Sequence, residues 1–359
     1  MIFDPILDIF RGKAITIPPM DGALKPNTML DDAPAALEIE APDNLVSDGK
    51  RLLFSTGNRV LALQPGGTPE EVMPLDAAVT ALAVSAVGDL AVALDNGKLG
   101  ILPRQGNPRE LPAVSGLTCP TALAFDPAGA LYVAQGSANH RASDWAVDLM
   151  QKNADGSVWR IDLAGSGAAT CLTQGLGFPN GLLVLKEGHG LVVAESWRHR
   201  LIGIPGHGAR APEPVLSKLP GYPARLTPAA DGGTWLALFA PRNRLIEFTL
   251  LEDAYREQMM RDVPREYWIA PALASGTSFL EPLQCGGVKT MGVHKPWSPS
   301  RSYGLVVKLD ASLRPVASFH SRANGRRHGT TSVAELGGKI YVASKGGDAI
   351  LALDAETTR

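Results

Sequence analysis

The chain has 359 residues, 45% of them hydrophobic and 19% charged, which excludes a disordered segment and fits a packed fold. Its 34 Lys and Arg against 36 Asp and Glu leave no basic field to attract nucleic acid or an anionic membrane surface. Three widely spaced cysteines, Cys119, Cys171 and Cys285, form neither a disulfide framework nor a CxxC metal pair.

The N-terminal MIFDPILDIFRGK has an apolar run broken by Asp4 and Asp8, with no basic stretch before it. That is a poor secretory signal. No run reaches the ~18 apolar residues of a membrane span, so a cytoplasmic protein without a membrane partner is expected. Phe3, Ile6, Leu7 and Phe10 would share one face of a short helix docked on its own domain. ITIPP, Ile15 to Pro19, reads as a strand.

From there one phrase recurs: an apolar alternating run, a turn with Gly or Asp, then a second apolar run. Its copies are NLVSDGKRLLFST (Asn44 to Thr56), TALAVSAVGDLAVAL (Thr80 to Leu94) and TALAFDPAGALYVAQ (Thr121 to Gln135). NGLLVLKEGHGLVVAE (Asn180 to Glu195), RLTPAADGGTWLAL (Arg225 to Leu238) and TSVAELGGKIYVAS (Thr331 to Ser344) follow. Each copy is a hairpin signature, and most are followed by a third strand such as NRVLAL, HRLIGI or DAILALD. Three or four strands per unit, repeating at ~40 residues, is the arithmetic of a propeller blade. The sequence therefore predicts an all-β, six-bladed β-propeller forming a single domain, with blades starting near 43, 80, 120, 180, 224 and 330. Ile15 to Pro19 is expected to close the ring against Ile350 to Asp354. Two insertions break the repeat, at 137–155 and 250–300. The second begins LLEDAYREQMMRDVPREYWI, with helical spacing, and is predicted to place a helix in blade five.

GLGFPNGLLVL, VVAESWRHRLIGI, LPGYPARL, GLVVKLD and TTSVAELGGKIYVAS occur in an order that resembles the strictosidine-synthase-like family. The resemblance covers roughly Asp43 to Asp354. That family belongs to the gluconolactonase and paraoxonase superfamily of six-bladed propellers, so the resemblance implies the same fold. It implies either metal-assisted lactonase or arylesterase chemistry, or metal-free condensation of an amine with an aldehyde. The condensing enzyme carries a glutamate about ten residues before the tyrosine of the last blade's second strand. Counting back from Tyr341 reaches Thr331, so that base is missing here.

In a propeller the loops leading into each innermost strand meet at one mouth of the channel. Asn180, in FPNGL, matches an asparagine that lactonase-type relatives use to ligate a cation, and Asp43 lies near their acidic ligand. Together they would hold one Ca2+ or Zn2+. Alternatively, Asn180 shapes an Asn-Gly turn and Asp43 is a solvated turn residue. Ala224 and Thr121 stand where relatives carry ligands, which weakens the metal site. Arg225 could hold a substrate carboxylate, or pair with Glu195. His328 is the candidate general base, its pKa lowered by Arg326 and Arg327, with Glu195 as the other catalytic candidate; a partnerless loop histidine is the alternative. Trp197, His140, Arg242 and Thr331 are candidate substrate contacts, and His140 would pair with Asp144 if that stretch is helical. The leading expectation is a hydrolase of a small lactone or ester, with or without a metal. The alternatives are a metal-free propeller that binds a small anionic metabolite, and a related enzyme of different reaction. In each case the partner is a small molecule.

Overall fold

The computed structural model describes residues 17–164, 167–185, 190–205, 211–276 and 301–355, and the backbone of 288–290 and 293–295. It is a six-bladed β-propeller: six four-stranded antiparallel sheets, each built from strands in chain order except where the ring closes. The innermost strands are Asp43–Ser47, Val79–Val84, Pro120–Phe125, Pro179–Val184, Gly221–Pro228 and Thr330–Leu336.

Packing follows from residue size. Inner and second strands are buried almost throughout, as in Val79–Val84 and Leu90–Leu94. Alanines 81, 83, 91 and 93 form part of one inter-blade core, where small side chains let twisted sheets approach closely. At Gly181 the approach is close: a Cβ there would stand 2.2 Å from the carbonyl oxygen of Ala224 in the next blade. Buried hydroxyls stitch neighbouring blades. Thr121 Oγ1 donates to Pro179 O at 2.5 Å and Ser196 Oγ to Pro223 O at 2.6 Å. Leu45 N donates to Ser332 Oγ at 2.9 Å across the blade one to blade six junction.

Ring closure differs from the sequence expectation. Ala35–Glu38, not Ile15 to Pro19, pairs with the last strand, Ala349–Asp354, with Leu37 opposite Ile350. Ile15 and Thr16 lie outside the described residues, and Ile17 to Pro19 form no strand. The closing strand alternates half-buried and exposed residues, so its apolar signal is weaker than that of ITIPP.

The helix also differs in extent. It starts earlier, at Arg244–Leu251, where Asn243 caps it by accepting from Leu245 N at 2.8 Å. The chain breaks at Glu252 and resumes as Asp253–Asp262. The 137–155 insertion carries a 3-10 turn, Ala142–Asp144, leading into the helix Trp145–Met150. Among the described residues, no helix is long and apolar enough to cross a membrane.

Candidate functional site

A cavity of about 330 Å3 opens at the mouth where the innermost strands begin. Each blade contributes to its wall. Asp43 comes from blade one, Thr80 and Asp95 from blade two, Thr121 from blade three, Asn180 from blade four, Arg225 and Phe239 from blade five, Thr331 and Lys345 from blade six. Ala142, Ser143 and Trp145 of the insertion cover it.

Its electrostatic centre is a buried ion cluster. Lys345 Nζ donates to Asp43 Oδ2 at 2.9 Å, and Arg225 Nη1 lies 3.4 Å from Asp43 Oδ1. Arg225 Nη2 donates to Thr80 O at 2.6 Å, so a side chain from blade five crosses the axis to blade two. Arg225 also lines a second chamber of about 370 Å3 between the innermost strands and stands between the two spaces. Burial pushes the Asp43 carboxyl pKa up, but Arg225 and Lys345 outweigh it and hold the group well below the usual carboxylate range. Thr331 contributes to that lowering, although its Oγ1 makes no hydrogen bond of ordinary geometry.

Over this cluster the lid is latched on both sides. Ser143 N and Oγ donate to Asp95 Oδ1 and Oδ2 at 2.9 and 2.8 Å. Arg265 Nη1 donates to Asp144 at 2.7 Å and Nη2 to Ser143 O at 2.9 Å. The remaining wall is aromatic. Phe178 stacks on Trp197 at 4.5 Å, and Trp145 meets Phe239 edge-on at 5.4 Å. Phe178 has φ 53°, a left-handed conformation that a bulky residue rarely adopts.

The structure thus brings Asp43, Asn180, Arg225 and Thr331 together at one cavity. It places the other sequence candidates elsewhere. His328 is buried, with Nε2 at 2.8 Å from Arg322 O and Nδ1 at 3.0 Å from Ser302 Oγ, and is not in the lining. Its pKa is lowered, as expected, but burial is the cause rather than Arg326 and Arg327; Arg327 instead pairs with Glu38 of the closing strand at 2.8 Å. Glu195 is fully buried. It accepts from Gly177 N at 2.7 Å, Arg200 Nε at 2.5 Å and Arg198, so it is a structural ion pair and not the partner of Arg225. Arg242 is held by Glu247 at 2.9 Å. Trp197 backs the wall from behind Phe178 and donates to Asp148 at 2.7 Å. His140 lies 2.7 Å from Gln151 Oε1, because Asp144 is taken by Arg265.

Lys345, Asp95, Ser143, Thr80, Phe178 and Phe239 were not singled out from the sequence. Lys345 and Asp95 had a readable signal. Each is the polar residue just after the second strand of its blade, in KIYVAS-K and LAVAL-D.

The residues present do not fit a resident dication. A hard cation needs about six or more oxygen ligands, yet the Asp43 oxygens face Lys345 and Arg225, and those of Asp95 face Ser143. Among the described residues no group of three His, Cys, Asp or Glu side chains could hold a metal. At the expected Asp43 and Asn180 metal site, the one carboxylate is thus flanked by two cationic side chains.

Comparison with solved structures gives the fold class. A gluconolactonase from Xanthomonas campestris aligns with TM-score 0.56 over 91% of this chain and 88% of its own, at 14% identity. A calcium-binding protein, regucalcin, from Agrobacterium tumefaciens aligns with TM-score 0.53 over 95% of each chain, at 15% identity. The protein therefore shares the six-bladed propeller fold of these structures. Residues 121–203 match the family model for strictosidine synthase. Protein strictosidine synthase-like 10 of Arabidopsis thaliana is 24% identical over 132 residues, 36% of this chain and 35% of that protein. Adipocyte plasma membrane-associated protein of Danio rerio is 25% identical over 114 residues, 31% of this chain and 27% of that protein. These matches span about a third or less of the curated relatives' lengths, and they make this part of the chain similar to the strictosidine synthases.

Proposed function

We propose that the protein hydrolyses a small lactone or activated ester at the mouth of the channel, without a resident metal. The observation that carries this reading is the Lys345–Asp43–Arg225 cluster in the cavity wall. A carbonyl oxygen placed against the Lys345 ammonium and the Arg225 guanidinium would be polarised by fixed charges that need no reorganisation as the oxyanion forms. Asp43 holds those two cations in place and can accept a hydrogen bond from the attacking water. Held ionised so far below its usual range, it is a weak base. Substrates with good leaving groups or ring strain are therefore the ones expected to turn over.

The names of the propeller neighbours support the choice of lactone. The test is initial-rate measurement on a panel of lactones and aryl esters in EDTA, then with added Ca2+ or Zn2+. Turnover in EDTA that falls at least tenfold in Lys345→Met supports the reading. No turnover under either condition, or turnover only with metal, refutes it.

One observation favours a second reading, a metal-free propeller that binds a small anion. The described lining contains no imidazole, since His328 lies outside it. Thermal stabilisation by carboxylates, with no turnover across the panel, would decide for the binder.

A further inference from the structure

The cavity lining combines an ion cluster, Lys345, Arg225 and Asp43, with the apolar side chains Trp145, Phe178, Phe239 and Leu273. We infer that this cavity selects a compact aromatic carboxylate or its lactone or ester, and that Trp145, Phe178 and Phe239 determine that specificity. The inference deepens the proposed function and rests on it for the reacting group, but not for the ligand's shape.

The charge balance argues for an acidic head. Two cations flank one carboxylate in the cluster, which leaves an excess of one positive charge at the wall. Lys345 has three donors, and Asp43 takes one of them. A ligand carboxylate or carbonyl can take the others. Asp95 also lines the cavity and keeps its negative charge, but its oxygens are engaged by Ser143 of the insertion, whereas Lys345 and Arg225 converge on Asp43.

The aromatic part of the lining argues for a ring. Phe178 is fixed by stacking on Trp197, which is itself anchored to Asp148. Room for its ring exists because residue 136 is glycine: a Cβ there would come within 2.8 Å of Phe178 Cε2. Phe178 also occupies a left-handed backbone conformation. Strain of this kind persists where the surroundings enforce it, and it clusters at ligand sites. Trp145 arrives from the lid and meets Phe239 edge-on, so closing the lid completes an aromatic slot. Where a polyol met these rings, it would lose hydration that they do not replace. At about 330 Å3, the cavity is at the small end of ligand pockets, roughly 300–1,000 Å3, and suits one ring with a short acid arm.

The experiment is calorimetric titration of the full chain with three probes: phenylacetate, gluconate and benzyl alcohol. Phenylacetate should bind at least tenfold tighter than either of the others. Lys345→Met should weaken phenylacetate at least tenfold, and Trp145→Leu, which alters the half-buried lid, should weaken it at least fivefold while circular dichroism stays unchanged. Gluconate binding as tightly as phenylacetate overturns the inference. So does undiminished phenylacetate binding by folded Trp145→Leu or Lys345→Met. Phenylacetate binding without any esterase or lactonase turnover would end the hydrolase reading and leave this one standing. Turnover of polyol lactones without phenylacetate binding would do the reverse.

Discussion

Replacing Asp43 by Asn isolates the ion cluster at the channel mouth. Asn keeps an acceptor for Asn44 N, now 2.7 Å from Asp43 Oδ1, but removes the charge between Lys345 and Arg225. The Asp43 and Arg225 side chains are 9% and 17% exposed, and Lys345 is 35% exposed. Removing one partner of a buried ion pair costs roughly 3–5 kcal/mol. With Lys345 partly solvated, the lower end applies, about 3 kcal/mol, or roughly a hundredfold in the folded-to-unfolded ratio. Urea titration at pH 7, followed by tryptophan fluorescence, measures it. The pH dependence is a second check. The folded-state pKa of Asp43 lies below its unfolded value of about 3.9, so its stabilisation is complete above that pH and is lost as pH falls. The gap between the native chain and Asp43→Asn should therefore narrow steadily below about pH 4. A gap under about 0.5 kcal/mol at pH 7, or one that stays constant down to pH 2.5, would refute the account of the cluster.

Gly181→Ala should destabilise the chain by about 3 kcal/mol, because its Cβ would strike the backbone carbonyl of Ala224; a thermal midpoint unchanged within 1 °C would show that blades four and five can separate. Removing residues 1–38 should abolish cooperative unfolding, since the last blade then lacks its fourth strand; near-ultraviolet circular dichroism reports the loss. His328→Gln should lower stability yet leave the pH profile of any hydrolysis unchanged, because His328 faces Ser302 and Arg322 rather than the cavity. His320 is buried between Tyr303 and Ser318, and burial lowers its pKa to about 4. The unfolded chain therefore takes up a proton near pH 6.5 that the folded chain refuses until about pH 4, and stability falls across that window by up to about 3 kcal/mol. His320→Gln should flatten part of that slope in urea titrations at pH 7 and pH 4.5.

The ring was legible because first and second strands such as TALAV and LAVAL are buried on both faces and so are written in small apolar residues. The outer strands were not. Glu70–Pro74 and Arg109–Glu110 are mostly exposed, so nothing in their polarity separates them from loops. The closing strand failed for a similar reason, because AALE is half solvated while ITIPP is apolar. At the site, Asn180 and Arg225 were found because they begin repeat units. Lys345 directly follows the second strand Lys339–Ser344, where a lysine taken by residue type alone gives no sign of facing the channel rather than solvent. His328 and Glu195 show the opposite error. Their residue types suit catalysis, but only three-dimensional contacts reveal that Arg322 O and Ser302 satisfy one and two arginines neutralise the other.

The pairing of Ala35–Glu38 with Ala349–Asp354 has a consequence for how the molecule is made. The segment that seals the circle leaves the ribosome some three hundred residues before its counterpart. Until then, blade six lacks its outer strand and blade one has no neighbour on one side, leaving unpaired backbone and apolar surface open to other chains. Contacts across some three hundred residues also form slowly. Nascent or truncated chains should therefore associate with one another through this seam, and finished ones should not.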